Sequence, residues 1–350
     1  MDLTDTIRNK KIFLLGDFKS NTGPAIANRG ILEALTGIYN LYFSQRDGKI
    51  LRILEVIMHI IKCDILILVS KSQLNYIAVY WALFLRKKII YIMHGHSLLE
   101  YKTNIEYSQR RIDIINRLEK YENFICSKSH KLIFVSKKSM ELMMSCYNEY
   151  AYKMDYIWNV VKLDKQIQNH EALSDNLRDN NIILSLGGDR KIKNNLDVAR
   201  AIDYLNDKYH TNFKYIVVGE INSCKSSLLR YKCVESFGKL DHEEVLLLMK
   251  KANIYVQNSF FETFGMAPLE ALLSGCSLLI TKNMGVIDIF DNLDKDDYIE
   301  DNENYLEIAD KIYKIYIKAN NQRLIHALKS YYISIDFLKE RLQKIISTTI

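Results

Sequence analysis

Two glutamates, Glu262 and Glu270, are separated by seven residues that include one of the two prolines in this sequence of 350 residues. The proline, Pro268, is typical of the first turn of a helix, where its missing N–H costs nothing. Gly275 can end such a helix in the left-handed conformation. The segment therefore predicts a short helix that begins near Pro268, with Glu270 in its first turn and Glu262 in the loop before it.

The start of this predicted helix has chemistry that suits a sugar or a nucleotide. Free N–H groups and the helix dipole at an N-terminus favour an anion or a group of hydroxyls. A carboxylate can accept hydrogen bonds from two neighbouring hydroxyls of a ribose or another sugar. A single acidic residue in a first turn is ordinary. Glu262 and Glu270 together with Gly265 and Pro268 instead indicate two carboxylates that border one small binding volume.

A basic loop follows another apolar run of the sequence. Residues 185–195 read SLGGDRKIKNN, in which two glycines are followed by Arg190, Lys191 and Lys193. A glycine turn that brings cations to the end of a strand can hold a diphosphate. In isolation, such a loop would more simply be interpreted as a solvent-exposed basic turn.

The segment from Asn258 to Phe290 resembles the Glu-x7-Glu block of the retaining family-4 glycosyltransferases, which have the GT-B fold. It contains, in order, a strand that ends in serine, Glu-Thr-Phe-Gly, Pro-x-Glu-Ala-Leu, a glycine and a further strand. The resemblance implies that Glu270 binds the ribose of a nucleotide and that Glu262 contacts the donor sugar. It also implies that sugar hydroxyls or phosphate are bound by the loop between them, at Thr263, Phe264, Gly265 and Met266.

Two further loops of the second half fit the same resemblance. Lys193 stands at the family's lysine, while Gly188 occupies the position of its arginine, so that Arg190 must reach the diphosphate from two residues later. The stretch from Ser236 to Leu240 matches the loop that lies beside the nucleobase. The resemblance therefore implies a diphosphate site at Arg190 and Lys193, with other donor contacts at Gly188, Gly238, Lys239 and Leu240.

The first half of the chain is similar to the same family at three places. The stretch Ile92–Ser97 ends a strand in His-Gly, which makes His94 the family's histidine near the anomeric carbon. Residues 21–30 stand in place of the glycine-rich loop near the donor sugar and the acceptor, which assigns contacts to Gly23 and Pro24. Val160 replaces the glycine of the family's turn between the domains. The catalytic group implied by the resemblance is His94, Arg190, Lys193 and Glu262.

All these loops belong to a chain that alternates short apolar runs with longer segments of helical periodicity. This alternation is typical of parallel α/β architecture, in which ligands bind at the carboxyl ends of the strands. The predicted fold class is α/β, and the resemblance makes it GT-B, with two Rossmann-like doubly wound domains that face a central cleft. Predicted strands lie within residues 11–17, 64–70, 87–95, 130–136, 182–188, 213–220, 253–259 and 277–282.

A polar segment without a buried face, QIQNHEALSDNLRDNN, separates two such series and indicates a linker. The predicted domains are residues 1–160 on the acceptor side, a linker at 161–180 and a nucleotide-sugar-binding domain at 181–325. Apolar positions at helical spacing predict helices from about residue 304 to the C-terminus. The last of these helices, within 326–350, is expected to pack back on the first domain.

Charge is distributed unevenly over a chain whose net charge is +6. Residues 1–160 carry 23 Lys and Arg against 15 Asp and Glu, a balance of +8, whereas residues 161–350 carry 25 against 27, a balance of −2. A basic first half could contact a phosphorylated substrate, anionic lipid or nucleic acid, or it could be a solvated lysine-rich surface. No motif of interleaved aromatic and basic residues accompanies it, so no nucleic-acid partner is predicted.

Other classes of protein and site find little support. The six cysteines lack C-x-x-C spacing, which argues against zinc and for a reduced, cytoplasmic setting. The polar N-terminus and the strand-length apolar runs predict neither a secretory signal nor a membrane span. No strand is followed by the G-x-G-x-x-G of a dehydrogenase. The Asp-x-Asp pattern within Asp294–Asp297 is interpreted as a solvated loop, so neither a metal nor another cofactor is predicted.

The resemblance implies a hexosyltransferase that moves a sugar from a nucleoside-diphosphate sugar to a glycan hydroxyl, with retention and without a metal. The basic first half suggests a lipid-linked acceptor at the inner face of an anionic cell membrane, in the assembly of capsule, O-antigen or exopolysaccharide. Two alternatives share the fold: a nucleotide-sugar epimerase or hydrolase, and a non-catalytic subunit that binds a glycan or a partner protein. The joint presence of His94, Lys193, Glu262 and Glu270 argues against the binding subunit.

Overall fold

The computed structural model describes residues 9–20, 22–95, 109–161, 178–221 and 226–349. The chain divides into two compact units, one formed by residues 1–160 and 330–350 and the other by residues 161–329. Each unit is built from alternating strands and helices around its own six-stranded parallel sheet. Most of the predicted linker, residues 162–177, lies outside the described residues.

The sheet of the first unit has the strand order β2-β1-β3-β4-β5-β6, and all neighbouring pairs are parallel. Its central strands are buried on both faces, as expected for a parallel sheet between two layers of helices. The strands are β1 (Lys11–Leu15), β2 (Asn40–Phe43), β3 (Ile65–Leu68), β4 (Lys88–Met93), β5 (Lys131–Phe134) and β6 (Met154–Tyr156). The helices between them are α1 (Gly23–Leu35), α2 (Lys49–Lys62), α3 (Leu74–Phe84), α4 (Gln109–Lys128) and α5 (Lys137–Cys146).

The sheet of the second unit has the order β12-β11-β10-β7-β8-β9 and is also parallel throughout. The strands are β7 (Asp179–Leu186), β8 (Lys214–Val218), β9 (Val234–Phe237), β10 (Ala252–Gln257), β11 (Ser277–Thr281) and β12 (Tyr298–Ile299). The helices are α6 (Asn195–Tyr209), α7 (His242–Lys251), α8 (Met266–Leu273), α9 (Tyr305–Ile317) and α10 (Asn321–Ala327). The loops that follow β7, β9 and β10 carry the predicted donor residues.

The C-terminal helix α11 (Ile335–Ser347) belongs to the first unit, where it packs against α1. A guanidinium nitrogen of Arg341 donates to the carbonyl oxygen of Tyr156 at 2.7 Å, and Arg341 also pairs with Asp155. The ring of Trp158 lies 5.3 Å from that of Phe337, measured between centroids. The first unit is thus closed by the end of the chain, which returns to it at residue 330.

The strands that the sequence does not predict are the four short edge strands β2, β6, β9 and β12, of two to four residues each. Edge strands are covered on fewer sides than central ones, and most residues of these four are half-buried or exposed, so they lack the continuous apolar run that reveals β3. The predicted class, two doubly wound parallel α/β domains, is confirmed.

Candidate active site

A cavity of about 190 Å³ lies at the carboxyl ends of β7 and β10 in the second unit. Ligands of open α/β sheets bind at this edge. The predicted residues at its wall are Arg190, Lys193, Glu262, Gly265 and Met266, which come from two loops far apart in the chain. The complete wall consists of Leu186, Gly187, Arg190, Lys193, Gln257, Glu262, Gly265, Met266, Ala267 and Pro268.

Two glycines form the turn between β7 and the cavity. Gly187 and Gly188 have φ angles of +108° and +61°, which residues with side chains rarely adopt. A Cβ atom at residue 188 would lie 2.0 Å from the carbonyl oxygen of Glu220, and one at Gly219 would lie 2.6 Å from the amide nitrogen of Gly188. A side chain at residue 188 would therefore clash with the backbone of the neighbouring turn. The loop carries its cation two residues later, at Arg190.

Gly188 itself is not part of the cavity wall, although the resemblance assigns a donor contact to it. Its N–H donates to the carbonyl oxygen of Val218 at 3.1 Å. Its carbonyl oxygen accepts from the side chain of Asn195 at 2.7 Å. Both hydrogen-bonding groups are therefore used inside the protein, and the geometry gives Gly188 the role of holding the turn.

Arg190 and Lys193 supply the positive charge at the cavity wall. Lys191–Lys193 form a single 3-10 turn, and the Nε of Arg190 donates to the carbonyl oxygen of Gly187 at 3.2 Å. Lys191 is exposed and does not line the cavity. Two cations at one wall can bind the oxygens of a phosphate.

Lys193 forms an ion pair with Glu262. Their side chains are only 13% and 27% exposed, so the charges are screened less than those of a surface pair. The backbone holds Glu262 in place, because its carbonyl oxygen accepts from the N–H of Gly285 at 3.1 Å. The pair places a cation that can bind phosphate beside a carboxylate that can accept hydrogen bonds from sugar hydroxyls.

Three buried asparagines, Asn194, Asn258 and Asn302, connect the loop of Lys193 to the loop of Glu262. The side chain of Asn258 donates to the carbonyl oxygens of Asn194 and Asn302 at 3.2 and 2.9 Å. Asn302 donates back to the carbonyl oxygen of Asn258 at 3.1 Å, and Asn194 donates to that of Asn302 at 2.7 Å. The sequence does not reveal this network, because a loop asparagine indicates nothing until its burial is known. The only signal in the sequence is that the three asparagines stand after strands or before a helix.

Helix α8 begins at Met266, two residues before the predicted start. Its N-cap is Gly265, whose φ is +99° and whose Cβ position would lie 2.6 Å from the Met284 methyl group. Glycine cannot cap the first N–H groups with a side chain, so the amides of Met266 and Ala267 begin the helix at the cavity wall. The prediction that Glu270 lies in the first turn is wrong, because the helix starts earlier and Glu270 is its fifth residue.

Glu270 pairs with a histidine and is not part of the cavity wall. Its Oε1 lies 3.0 Å from the Nε2 of His242, and its side chain is largely buried. His242 is the first residue of α7, where a capping box between Asp241 and Glu244 fixes the helix start. The sequence does not single out this histidine, although its position after β9 is a signal for a residue at the carboxyl edge of the sheet.

A buried tyrosine lies near both glutamates. Burial raises the pKa of Tyr255, and the charges of Glu262 and Glu270 raise it further. Its hydroxyl donates to the Oε1 of Gln257 at 2.5 Å, and the Nε2 of Gln257 donates to the hydroxyl of Ser259 at 2.7 Å. Because Gln257 lines the cavity, this chain links the cavity to the buried interior of β10. The sequence does not reveal this chain of hydrogen bonds, since alternating polar residues in a strand are ordinary.

Two predicted donor residues precede α8 without lining the cavity, Thr263 and Phe264. Phe264 is buried, and its carbonyl oxygen accepts from the N–H of Val286 at 2.7 Å. Thr263 is half-buried. The geometry therefore gives this part of the loop a supporting position behind Gly265.

The predicted nucleobase loop, Gly238–Leu240, follows the edge strand β9. The carbonyl oxygen of Gly238 accepts from the N–H of Gly219 at 3.2 Å, which ties this loop to the one after β8. Gly238 and Lys239 are exposed, and Leu240 is half-buried. These three residues lie outside the wall of the cavity but at the same edge of the sheet.

In the first unit, His94 directly follows β4. Both of its ring nitrogens are buried. Burial lowers the pKa of His94 from its ordinary value of 6.5 to about 4, so the ring is neutral at neutral pH. A neutral imidazole can donate one hydrogen bond and accept another without adding charge. His96 and Ser97, at the end of the predicted stretch, lie outside the described residues.

Gly23 and Pro24 form the start of α1 in the first unit, and both are exposed. The first N–H groups of a helix have no intrahelical partner, and no side chain caps those of α1. A Cβ atom on Gly23 would meet nothing within 4 Å. Packing therefore does not require glycine at this position.

The Asp-x-Asp segment is more ordered than predicted. Asp297 is buried, accepts from the side chain of Asn320 at 2.9 Å and pairs with Arg323. The interpretation of this segment as a solvated loop is wrong for Asp297, because this carboxylate joins the segment before β12 to α10. Among the described residues, no group of three or more His, Cys, Asp or Glu could hold a metal ion.

Comparison with protein families gives one match. Residues 167–329, slightly less than half of the chain, match the family described as glycosyl transferases group 1. The matched segment covers the second unit, including the cavity and both glutamates. Comparison with curated proteins gives no match.

Solved structures share the architecture of the whole chain. The structure of Anabaena Alr3699/HepE in complex with UDP and glucose is 12% identical, covers 97% of this chain and all of its own, and has a TM-score of 0.66. Sucrose-phosphate synthase from Thermosynechococcus elongatus is 12% identical over 97% of this chain and 99% of its own, with a TM-score of 0.67. WaaG, a glycosyltransferase involved in lipopolysaccharide biosynthesis, is 15% identical over 96% of this chain and 99% of its own, with a TM-score of 0.60. The likeness confirms the GT-B fold, and the family match supports a glycosyltransferase.

Proposed function

We propose that this GT-B glycosyltransferase transfers a hexosyl unit from a nucleoside-diphosphate sugar to a hydroxyl of a glycan, with retention of the anomeric configuration. The observation that carries the proposal is the ion pair between Lys193 and Glu262 at the wall of the cavity, beside the start of α8. A cation, a carboxylate and free helix amides within one cavity match the three parts of the donor's reacting end: diphosphate, sugar hydroxyls and leaving oxygen.

The donor is proposed to lie along the carboxyl edge of the second sheet. Arg190 and Lys193 bind the diphosphate, because both cations line the cavity. Glu262 accepts hydrogen bonds from the sugar. Glu270 binds the ribose beyond the cavity wall, where His242 orients its carboxylate. The base lies against the main chain of Gly238–Leu240, which follows the edge strand.

Transfer separates charge, since positive charge grows on the sugar ring while negative charge grows on the leaving diphosphate. Lys193, Arg190 and the first amides of α8 would stabilise the leaving group, which is why we propose that no metal is required. The acceptor oxygen bonds to the anomeric carbon as the bond from that carbon to the diphosphate breaks. The acceptor's proton passes to the diphosphate on the same face, so the enzyme supplies no nucleophile.

The acceptor is proposed to be a lipid-linked glycan of surface-polysaccharide assembly. The basic balance of +8 over residues 1–160 supports this, because it favours contact with the anionic inner face of a cell membrane. No helix in the described ranges is long and apolar enough to cross a membrane. The contact we propose is peripheral and is made by a surface of the first unit.

A thermal-shift screen of nucleoside diphosphates and their sugars tests the donor site directly. UDP and UDP-glucose come first, since the Anabaena protein was solved with UDP and glucose. We expect at least one compound to raise the melting temperature of the wild type and to lose this effect in Glu270→Ala. If no compound stabilises the wild type, or if Glu270→Ala responds like the wild type, the donor-site assignment is wrong.

Turnover of the same donor with and without a glycan acceptor separates the proposal from its alternatives. A transferase consumes donor much faster when acceptor is present. An epimerase or hydrolase would turn over the donor at the same rate without it. A binding subunit would bind the donor or the glycan without consuming either.

A further inference from the structure

Helix α2 presents an apolar face to solvent. Ile50, Leu51, Leu54, Met58 and Ile61 each expose more than half of their surface. Their spacing of three and four residues places most of them along one side of the helix. The opposite side already supplies Val56 and Ile60 to the core of the first unit. The exposed apolar side chains therefore do not belong to the face of α2 that packs on the core.

The neighbouring helix α3 extends this surface. Tyr80 and Phe84 are more than half exposed, and Trp81 and Leu83 expose about a third of their surface. Helices α2 and α3 pack against each other, which brings their outer residues side by side. These residues are here called the α2–α3 apolar face. Single exposed apolar residues are normal, but a contiguous group of this size marks an interaction site.

The part of the chain that forms this face is basic in sequence. Residues 49–88 contain seven Lys and Arg and only two Asp and Glu. One of the two acids, Glu55, is buried and accepts hydrogen bonds from the N–H groups of Gln45 and Arg46. Lys49 and Lys62, at the two ends of α2, are exposed. Exposed charge on α2 is thus positive.

We propose that the α2–α3 apolar face docks on the surface of an anionic lipid bilayer, with its apolar side chains inserted at the boundary between headgroups and acyl chains. An apolar helix face flanked by cations is the pattern of interfacial helices, which insert to a depth of about 5–10 Å. Tryptophan and tyrosine, present at Trp81 and Tyr80, are enriched at this depth. A second copy of the chain is a poorer occupant, because the basic flanks of two such faces would repel each other.

The inference rests on the proposed function in one respect: docking would bring the enzyme to the membrane that carries its lipid-linked acceptor. It does not depend on the donor site, since α2 and α3 belong to the first unit. Failure of one proposal can therefore be recognised separately from failure of the other.

Co-sedimentation with vesicles tests the inference on the full-length protein. Vesicles of phosphatidylcholine with phosphatidylglycerol are compared with vesicles of phosphatidylcholine alone. We expect the wild type to bind the anionic vesicles and the triple variant Ile50→Gln, Leu54→Gln, Phe84→Gln to bind at least about tenfold more weakly. The matched control Leu247→Gln, Ile317→Gln removes exposed apolar residues from the second unit and should bind as the wild type does.

Insertion has its own readout, because the chain contains only two tryptophans. Trp158 is buried whereas Trp81 is exposed, so a change of emission on vesicle binding reports on Trp81. We expect a blue shift, and quenching by lipids brominated along the acyl chains. Binding without either change would mean that only charge holds the protein to the membrane, which would overturn the proposed insertion.

Two further outcomes would overturn the proposal. One is equal vesicle binding by the wild type and the triple variant, or no binding by the wild type. The other is a triple variant that changes from dimer to monomer, by sedimentation, while its vesicle binding stays unchanged. The circular dichroism spectrum and the melting temperature, measured on every variant without donor, show whether each remains folded. Absence of a donor-induced thermal shift in the wild type would count against the donor site alone.

Discussion

Lys193 and Glu262 are 69 positions apart in the chain, yet they form one ion pair at the wall of the cavity. When a diphosphate binds, Lys193 can exchange the carboxylate for phosphate oxygens, which carry more charge. Glu262 is then released toward the sugar hydroxyls. The same two residues can thus stabilise the empty site and serve the reaction.

Replacing Lys193 by alanine should lower kcat by about 10²–10³-fold, because the charge on the leaving diphosphate loses its partner. The measurement is initial-rate transfer with saturating donor and acceptor. Lys191→Ala is the matched control, since Lys191 lies in the same turn but is exposed outside the cavity. If Lys191→Ala lowers kcat as much as Lys193→Ala does, the rate depends on the net charge of the loop and not on the position of Lys193.

The stability of the protein should depend on pH through His94, whose pKa burial lowers from 6.5 to about 4. Between these values the unfolded chain binds a proton that the folded chain does not. The stabilising contribution of neutral His94 is therefore complete above pH 6.5 and is lost as the pH falls toward 4. The shift corresponds to about 3 kcal/mol in the free energy of unfolding.

Denaturant unfolding of the wild type and His94→Asn, compared between pH 4 and pH 7, measures this contribution. We expect the difference between the two proteins to shrink as the pH falls. His326→Asn removes an exposed histidine, and its free energy of unfolding should change with pH as that of the wild type does. The same change with pH in His94→Asn would contradict the lowered pKa.

The elements of the second unit position the site through close backbone packing. The turns after β7 and β8 approach each other at Gly188 and Gly219, where a Cβ atom has no room. Buried asparagine side chains then fix the loop of Lys193 against the loop of Glu262. Neither contact involves a ligand, but both determine where the ligand-binding groups lie.

Gly188→Ala should destabilise the protein by about 3 kcal/mol or more, because it combines a left-handed φ with a steric clash. Gly37→Ala isolates the first of these causes. Gly37 also has a positive φ, of +79°, but its Cβ position meets nothing within 4 Å. Gly37→Ala should therefore lower the free energy of unfolding by only about 1–2 kcal/mol. Equal losses in denaturant unfolding would show that the clash at Glu220 is relieved by movement of the backbone.

Asn258→Ala should lower kcat as well as stability, because it releases the loop of Lys193 from that of Glu262. Asn206→Ala is the matched control. The Asn206 side chain also bonds to backbone, donating to the carbonyl oxygen of Phe213 at 3.0 Å, but at the other end of the sheet. Both variants should lose about 1–3 kcal/mol of stability. If both keep wild-type kcat, the asparagine network serves folding alone.

At the scale of the whole molecule, the chain forms two units, and the first is made from both ends of the sequence. Helix α11 packs on α1, and Leu338 within it is buried. The second unit has its own core and carries the cavity. Stability of the first unit and donor binding by the second should therefore respond to different substitutions.

Leu338→Ala should destabilise the first unit by about 2–5 kcal/mol, the usual cost of a cavity in a core. The donor-induced thermal shift of the second unit should remain. Leu54→Ala removes an exposed leucine of the same unit and should change stability little. Loss of donor binding in Leu338→Ala would show that the second unit does not hold its structure independently.

Much of the fold and part of the site could be predicted from the sequence. The central strands appeared as apolar runs because burial on both faces requires them, and Gly275 ends α8 with a left-handed φ of +95°. Arg190, Lys193 and Glu262 were identified through the resemblance to a glycosyltransferase family, and they meet because parallel strands bring their following loops to one edge. The edge strands and the true start of α8 were not found, since half-burial and a glycine N-cap leave no periodic signal.

The sequence by itself determined the alternation of strands and helices, and with it which loops share an edge of each sheet. Tertiary structure alone decided that Glu262 pairs with Lys193 while Glu270 pairs with His242, and that Gly188 holds the turn. It also decided that the outer side of α2 stays exposed. The physical reason is range: backbone periodicity acts over neighbouring residues, whereas ion pairs, steric contact and burial depend on residues that only the folded chain brings together.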